Sequence, residues 1–179
     1  MTKFLCVYCG ASERSDPTYR QAAVDMGKII GKNQLGLVYG GGRMGLMGLI
    51  ADAVLDNGGK AVGFIPEHLD QREGAHHGLT ELYIVDSMHT RKLRMSERAD
   101  MFIILPGGFG TLDEMFEIIT WKQLGIHHKP IVIVNINGYW DPLKQLIDKV
   151  VDSHFAYDEH RHFMKIVDSV EGVLAHLPN

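Results

Sequence analysis

Short apolar runs and amphipathic stretches alternate along the whole chain. Residues 4–9, 35–39, 60–65, 81–85, 101–105 and 130–134 are runs of five or six residues, most of them almost wholly apolar. That is the pattern of strands buried on both faces of a parallel sheet. Between them lie stretches with helical spacing. Asp16-Pro17 supplies an N-cap and a first-turn proline, and Ala22, Met26, Ile29 and Ile30 carry an apolar stripe towards Asn33. A second helix follows the glycines at 40–48, runs through Val54 and Leu55, and stops at Asn57-Gly58-Gly59. Residues 88–98 predict a basic helix, residues 115–121 an apolar one, and Asp141-Pro142 opens another that reaches about Val151. Residues 66–79 read as an irregular loop with Glu67, His68, Arg72, Glu73, His76 and His77. After Asp152 come a loop, a short strand near residues 164–167 and a last short helix. Strands alternating with helices predict an α/β fold, a mainly parallel central sheet with helices on both faces. Such sheets bind ligands beyond the C-terminal strand ends, near the point where the strand order reverses. The glycine-rich and polar turns of this chain all fall at those ends.

The length of 179 residues predicts one domain, 1–179, with a sizeable core. A net charge of -4 argues against broad nucleic-acid binding, because no excess of lysine and arginine is there to neutralise phosphates. No apolar run approaches the ~20 residues of a membrane span, and the N-terminus enters a strand without a signal-peptide pattern. A cytoplasmic enzyme or binding protein is the expectation. The two cysteines, Cys6 and Cys9, form a Cys-x-x-Cys, which has a redox reading. Residues three apart on a strand point to opposite faces, however, so buried separate thiols are the expectation.

Chemistry concentrates in three segments. The first is Pro106-Gly107-Gly108-Phe109-Gly110-Thr111-Leu112-Asp113-Glu114, between an apolar strand and a helix. Glycines let the backbone approach a ligand, and the first N–H groups of a helix point at an anion. Thr111 and Glu114 also fit a capping box, Thr-x-x-Glu, so Glu114 has a structural reading. Its chemical reading is to stabilise an oxocarbenium ion or activate water, as carboxylates do in glycosidic-bond cleavage. The second segment, Gly40-Gly41-Gly42-Arg43-Met44-Gly45, satisfies Gly-x-Gly-x-x-Gly. It follows the second strand, lacks an acidic residue about twenty positions on, and lacks the Lys-Ser/Thr of a P-loop. A general phosphate or nucleotide cradle and plain helix-on-strand packing through Gly45 and Gly48 both remain open. The third is Arg91, Lys92, Arg94 and Arg98 on the basic helix. At least one should reach an anion, since arginine grips phosphate or carboxylate in a fork; Arg94 or Arg98 should be solvated. The ten histidines lack a His-x-x-x-His with a nearby glutamate, so no metal is expected, and most should lie exposed in loops.

These three segments, with Met88-His89-Thr90 ahead of Arg91 and Lys92, resemble the LONELY GUY (LOG) family. Its members are cytokinin riboside 5′-monophosphate phosphoribohydrolases, long mislabelled as lysine decarboxylases. The resemblance runs from Cys6 to about Trp140. It implies a three-layer Rossmann-like fold, a homodimer and no cofactor. It implies hydrolysis of the N-glycosidic bond of AMP or N6-isopentenyl-AMP, releasing the free base (adenine or a cytokinin) and ribose 5-phosphate. Arg91 and Glu114 match the family's catalytic pair. Lys92, Gly108, Phe109, Gly110, Thr111, Leu112, Asp113, Glu73 and Thr120 match positions that line the substrate, and Gly107 shares in the phosphate turn. Gly41, Gly42 and Ser12 border the phosphate or ribose by the same comparison. The alternative is a nucleotide or cofactor carrier of the same fold, in which Glu114 only caps a helix.

Overall fold

The computed structural model describes residues 2–177, apart from the side chains of residues 71–73. Seven strands form one sheet: β1 (Phe4–Tyr8), β2 (Gly36–Tyr39), β3 (Lys60–Pro66), β4 (Glu81–Val85), β5 (Met101–Ile104), β6 (Ile131–Val134) and β7 (Lys165–Val167). The order is β4-β3-β2-β1-β5-β6-β7, and every neighbouring pair is parallel. The helices are α1 (Pro17–Lys32), α2 (Gly45–Asp56), α3 (Glu67–Glu73), α4 (Met88–Arg98), α5 (Phe109–Gln123) and α6 (Asp141–Asp152). Short 3-10 turns follow β6 and flank β7. Among the described residues, no helix is long and apolar enough to cross a membrane.

Strand alternation divides the core into two layers. Leu5, Val7 and Cys9 face α1 and α2 with Ala23, Met26, Ile50 and Val54, whereas Phe4, Cys6 and Tyr8 face α4, α5 and α6 with Met95, Met115 and Leu143. Cys6 and Cys9 are therefore separate buried thiols on opposite sides of the sheet, as their spacing predicts. Burial pushes both thiols well above their ordinary range, which removes the thiolate that redox exchange needs.

The chain lays β1 to β4 outward in one direction, then returns to place β5 on the other side of β1. Here the strand order reverses. The loop after β1 feeds α1 in one layer, and the loop after β5 feeds α5 in the other, so the two loops separate and leave a crevice.

Two local expectations are corrected. Residues 67–73 form α3 instead of irregular loop. Pro66 holds extended backbone before it, Glu67 and Asp70 favour its N-terminal dipole, and Gly74 at φ 68 ends it. The segment is short and polar, so no apolar period marks it. The second correction concerns α5. Its N-cap is Gly108 (φ -98, ψ -153), with no side-chain cap, and the helix starts at Phe109. Thr111 and Glu114 are thus already inside the helix, and the Thr-x-x-Glu capping box is not formed.

Candidate functional site

The crevice between the β1 and β5 loops holds a cavity of about 520 Å³. Residues 9–12 and the start of α1 make one wall, and Pro106, Gly107, Gly108, Gly110 and Thr111 make the other. Arg91 and Glu114 reach it from α4 and α5, Leu46 and Met47 from α2, and Tyr139 from the turn after β6.

The turn after β5 is the anion-accepting wall. The carbonyls of Pro106 and Gly107 are turned away, one to the Gly10 N–H (3.1 Å) and the other to the Tyr139 hydroxyl (2.6 Å). Among the described residues, none of the five consecutive backbone N–H groups from Gly107 to Thr111 donates to a protein acceptor. Free N–H groups at a helix start, with the dipole behind them, form a site for phosphate. Glycine at 107 is a packing requirement, since a Cβ there would overlap the Thr111 hydroxyl.

Arg91 is positioned before any ligand arrives. Its Nε donates to the Phe64 carbonyl at 3.0 Å and its Nη2 to the Gly40 carbonyl at 2.9 Å. These oxygens sit at the C-terminal ends of β2 and β3. A side chain at Gly40 would overlap Arg91 Nη2, so that glycine makes room for the guanidinium. The remaining edge of the fork reaches the cavity past Met88 Sδ.

Glu114 is buried, at 9% exposure, and its carboxylate has no hydrogen-bond or ion-pair partner among the described residues. Burial pushes its pKa up to about 7; Arg91 and Lys92 oppose that rise, and Asp113 and Glu117 reinforce it. A carboxyl group poised there exchanges a proton at neutral pH.

The other predicted positions divide. Ser12 lines the cavity, and its hydroxyl also accepts from the Arg14 N–H. Lys92 points away from the cavity and pairs with Asp113 and Glu117, each at 3.1 Å. Phe109 is 92% exposed, and Thr120 and Asp113 also face outward. None of these, nor Leu112, belongs to the cavity wall. Gly41 and Gly42 are buried beside β3 and the 74–76 segment, where Gly42 bridges to Ala75. They too lie outside the cavity wall. The side chain of Glu73 lies outside the described residues. Arg94 and Arg98 are exposed. Among the described residues, no group of three or more His, Cys, Asp or Glu is placed to hold a metal. His127 departs from the exposed-loop expectation: it is buried, with Nε2 2.7 Å from the Ile118 carbonyl and its ring against Phe102.

Sequence reasoning missed Tyr19, Tyr139, Met88, Leu46 and Met47. All follow the C-terminal ends of strands, which is the signal that would have found them.

A parallel α/β sheet, an anion-accepting turn at the reversal of its strand order and one poised carboxyl define a class of small-ligand proteins with acid–base capacity. Comparison with known proteins narrows that class. Residues 47–177 match the family described as "Possible lysine decarboxylase". The chain is 46% identical over 174 residues to a cytokinin riboside 5′-monophosphate phosphoribohydrolase of Rhodococcoides fascians, covering 97% of this chain and 88% of that protein. It is 46% identical over 153 residues to one of Arabidopsis thaliana, covering 86% and 70% of the two chains. Among solved structures, a molybdenum cofactor binding protein from Rippkaea orientalis superposes with a TM-score of 0.73 at 17% identity, over 98% of this chain and 95% of that one. The Chlamydomonas reinhardtii molybdenum cofactor carrier protein superposes with the same TM-score at 14% identity, over 98% and 96%. At such identities these two establish the fold alone. The protein belongs to the possible lysine decarboxylase family, the family that its sequence motifs resemble under the name LOG.

Proposed function

We infer that the chain is a nucleoside 5′-monophosphate phosphoribohydrolase. It releases a free base, N6-substituted adenine or adenine, and ribose 5-phosphate. The printed names of the relatives from R. fascians and A. thaliana support this reading. The observation that carries it is the pairing of five unbonded N–H groups with a single poised carboxyl in one cavity. The phosphate docks on residues 107–111. Arg91 faces the ribose or the leaving base. Water adds its oxygen to C1′ as the C1′–N9 bond breaks and its electron pair leaves with the base. Glu114, ionised, takes the water's proton and returns it to the base nitrogen, so nucleotide and water become base and ribose 5-phosphate. No lysine in the cavity wall offers a Schiff base for decarboxylation, because Lys92 is committed to Asp113 and Glu117.

The working form is a homodimer without a cofactor. Phe109, Phe116, Leu124 and Ile126 lie exposed along α5 and just beyond it, an apolar stripe that a second copy would cover. A sedimentation mass of two chains is expected. Incubation with AMP and with N6-isopentenyl-AMP, followed by chromatography for free base, tests the activity. Base release from either is expected. Tight nucleotide binding with no release from both would replace the hydrolase by a carrier.

A further inference from the structure

The turn that offers its N–H groups to the anion consists largely of glycine, and glycine peptides reorient at little steric cost. A Cβ built at Gly108 or Gly110 would meet nothing within 4 Å, so packing does not fix this backbone. Hydrogen bonds to its carbonyls do. All peptides among the described residues are trans, so the direction of each C=O sets the N–H of the next residue pointing the opposite way. The Pro106 carbonyl is held by the Gly10 N–H, from the neighbouring loop. The Gly107 carbonyl accepts from the Tyr139 hydroxyl at 2.6 Å and, among the described residues, from nothing else.

Tyr139 is itself braced. Its ring meets Tyr19 edge-on at 5.2 Å and Trp140 edge-on at 4.8 Å. The turn that carries it is set by Asn137 and Gly138, both at positive φ, and by the Trp140 N–H bond to the Asn135 side chain at 2.7 Å. Tyr19 comes from α1 and Tyr139 from beyond β6, so two distant segments converge on one carbonyl.

We propose that Tyr139 is a positioning residue for phosphate recognition: its hydroxyl holds the Gly107 carbonyl out of the anion site and so aims the Gly108 N–H into it. Without that bond the Gly107-Gly108 peptide is free to rotate, and a rotated peptide presents a carbonyl oxygen to the phosphate. This deepens the phosphoribohydrolase reading, because it assigns a determinant of the 5′-phosphate requirement.

Calorimetric titration tests it without recourse to catalysis. Inorganic phosphate, AMP and adenosine are titrated into the wild-type chain and Tyr139→Phe, which keeps the ring contacts and loses the hydroxyl. Phosphate and AMP should each weaken about tenfold, the scale of one charge-assisted hydrogen bond, while adenosine is unchanged. Equal affinities in the two proteins would overturn the proposal. So would a parallel loss for all three ligands, which marks a general structural role, or an absence of phosphate binding by the wild type. If the wild type binds phosphate yet releases no base, the hydrolase reading falls, and the phosphate affinities still decide the role of Tyr139.

Discussion

Two turns in this molecule are built alike: a buried strand, a cluster of glycines, a helix. After β2 the glycines are 40–42, 45 and 48; after β5 they are 107, 108 and 110. Their surroundings differ. At the β2 turn the polar groups are consumed by the protein. Arg43 N–H donates to Gly74, Leu46 N–H donates to the Gly10 carbonyl, Gly41 accepts from His76, and Gly40 accepts from Arg91. At the β5 turn the carbonyls are taken and the N–H groups are left unbonded. The helix after β2 carries no acidic residue before Asp52, which pairs outward with His76 at 2.8 Å; the helix after β5 carries Glu114 into the cavity. A glycine-rich turn is therefore an anion site only where the rest of the fold leaves its donors free. The β2 turn instead seats the arginine that serves its counterpart.

The comparison breaks most visibly at Glu114. Glu114→Gln should lower kcat about 10²- to 10⁴-fold, the range for loss of an acid–base group. It should also raise stability, with a definite pH dependence. The folded carboxyl lies at about 7 against an ordinary 4.5, so the native state binds this proton more tightly than the unfolded chain. Below about pH 4.5 both states hold the proton, and glutamate and glutamine differ little. As pH rises through 7 the wild type carries a buried charge that costs up to about 3 kcal/mol. Thermal melts at pH 4 and pH 8 check the sign: Glu114→Gln melts higher at pH 8 and level with the wild type at pH 4. A variant that loses stability at pH 8 would return Glu114 to a structural role.

Glycine substitutions separate the two turns directly. Gly45, at φ 59, has the Ala11 backbone against the space a Cβ would fill. Gly45→Ala should cost about 3 kcal/mol or more, from strain and overpacking together, and its folded fraction should keep the wild-type KM. Gly108 has an ordinary extended φ of -98 and open space around it. Gly108→Ala should leave stability within about 0.5 kcal/mol. It places a methyl group at the cavity wall, so KM should rise about tenfold. Urea unfolding beside steady-state kinetics reads both. The opposite assignment, with KM changed at Gly45 and stability lost at Gly108, would exchange the roles of the turns.

That exchange is what sequence alone leaves open. The alternation of strands and helices is legible because each strand is buried on both faces and so reads as an almost unbroken apolar run. The reversal of strand order is a tertiary fact, and with it the convergence of Arg91, Glu114 and the β5 turn. Local motif reading treats Gly40-Gly41-Gly42 and Gly107-Gly108 as equivalents, because the bonds that distinguish them come from Gly10, Gly74, His76 and Tyr139. The capping box fails for a related reason. Thr111 and Glu114 have the right spacing, but Gly108 lets α5 begin before either of them. Tyr19 and Tyr139 carry no motif at all; each matters through where its strand ends.

The smallest expected effect concerns Lys92, which sits one residue after Arg91 and yet serves a different partner. Burial disfavours its charge, and the bonds to Asp113 and Glu117 outweigh that, holding its pKa above the ordinary lysine value. Asp113 is 59% exposed, so the pairs should contribute only about 1 kcal/mol together. The larger consequence is electrostatic. Asp113 and Glu117 raise the Glu114 pKa, and Lys92 lowers it. Lys92→Met removes the lowering charge and leaves both carboxylates unneutralised, so Glu114 should titrate above 7. Its ionised form is the one that takes a proton from water. The acid limb of the kcat profile should therefore move to higher pH, with a several-fold loss near neutrality that recovers by about pH 9. Were Lys92 a direct substrate ligand, KM would rise at every pH and the limb would stay in place. A pH series of kcat and KM for Lys92→Met separates these, and so decides whether the arginine and lysine of one dipeptide act on the ligand together or only through Glu114.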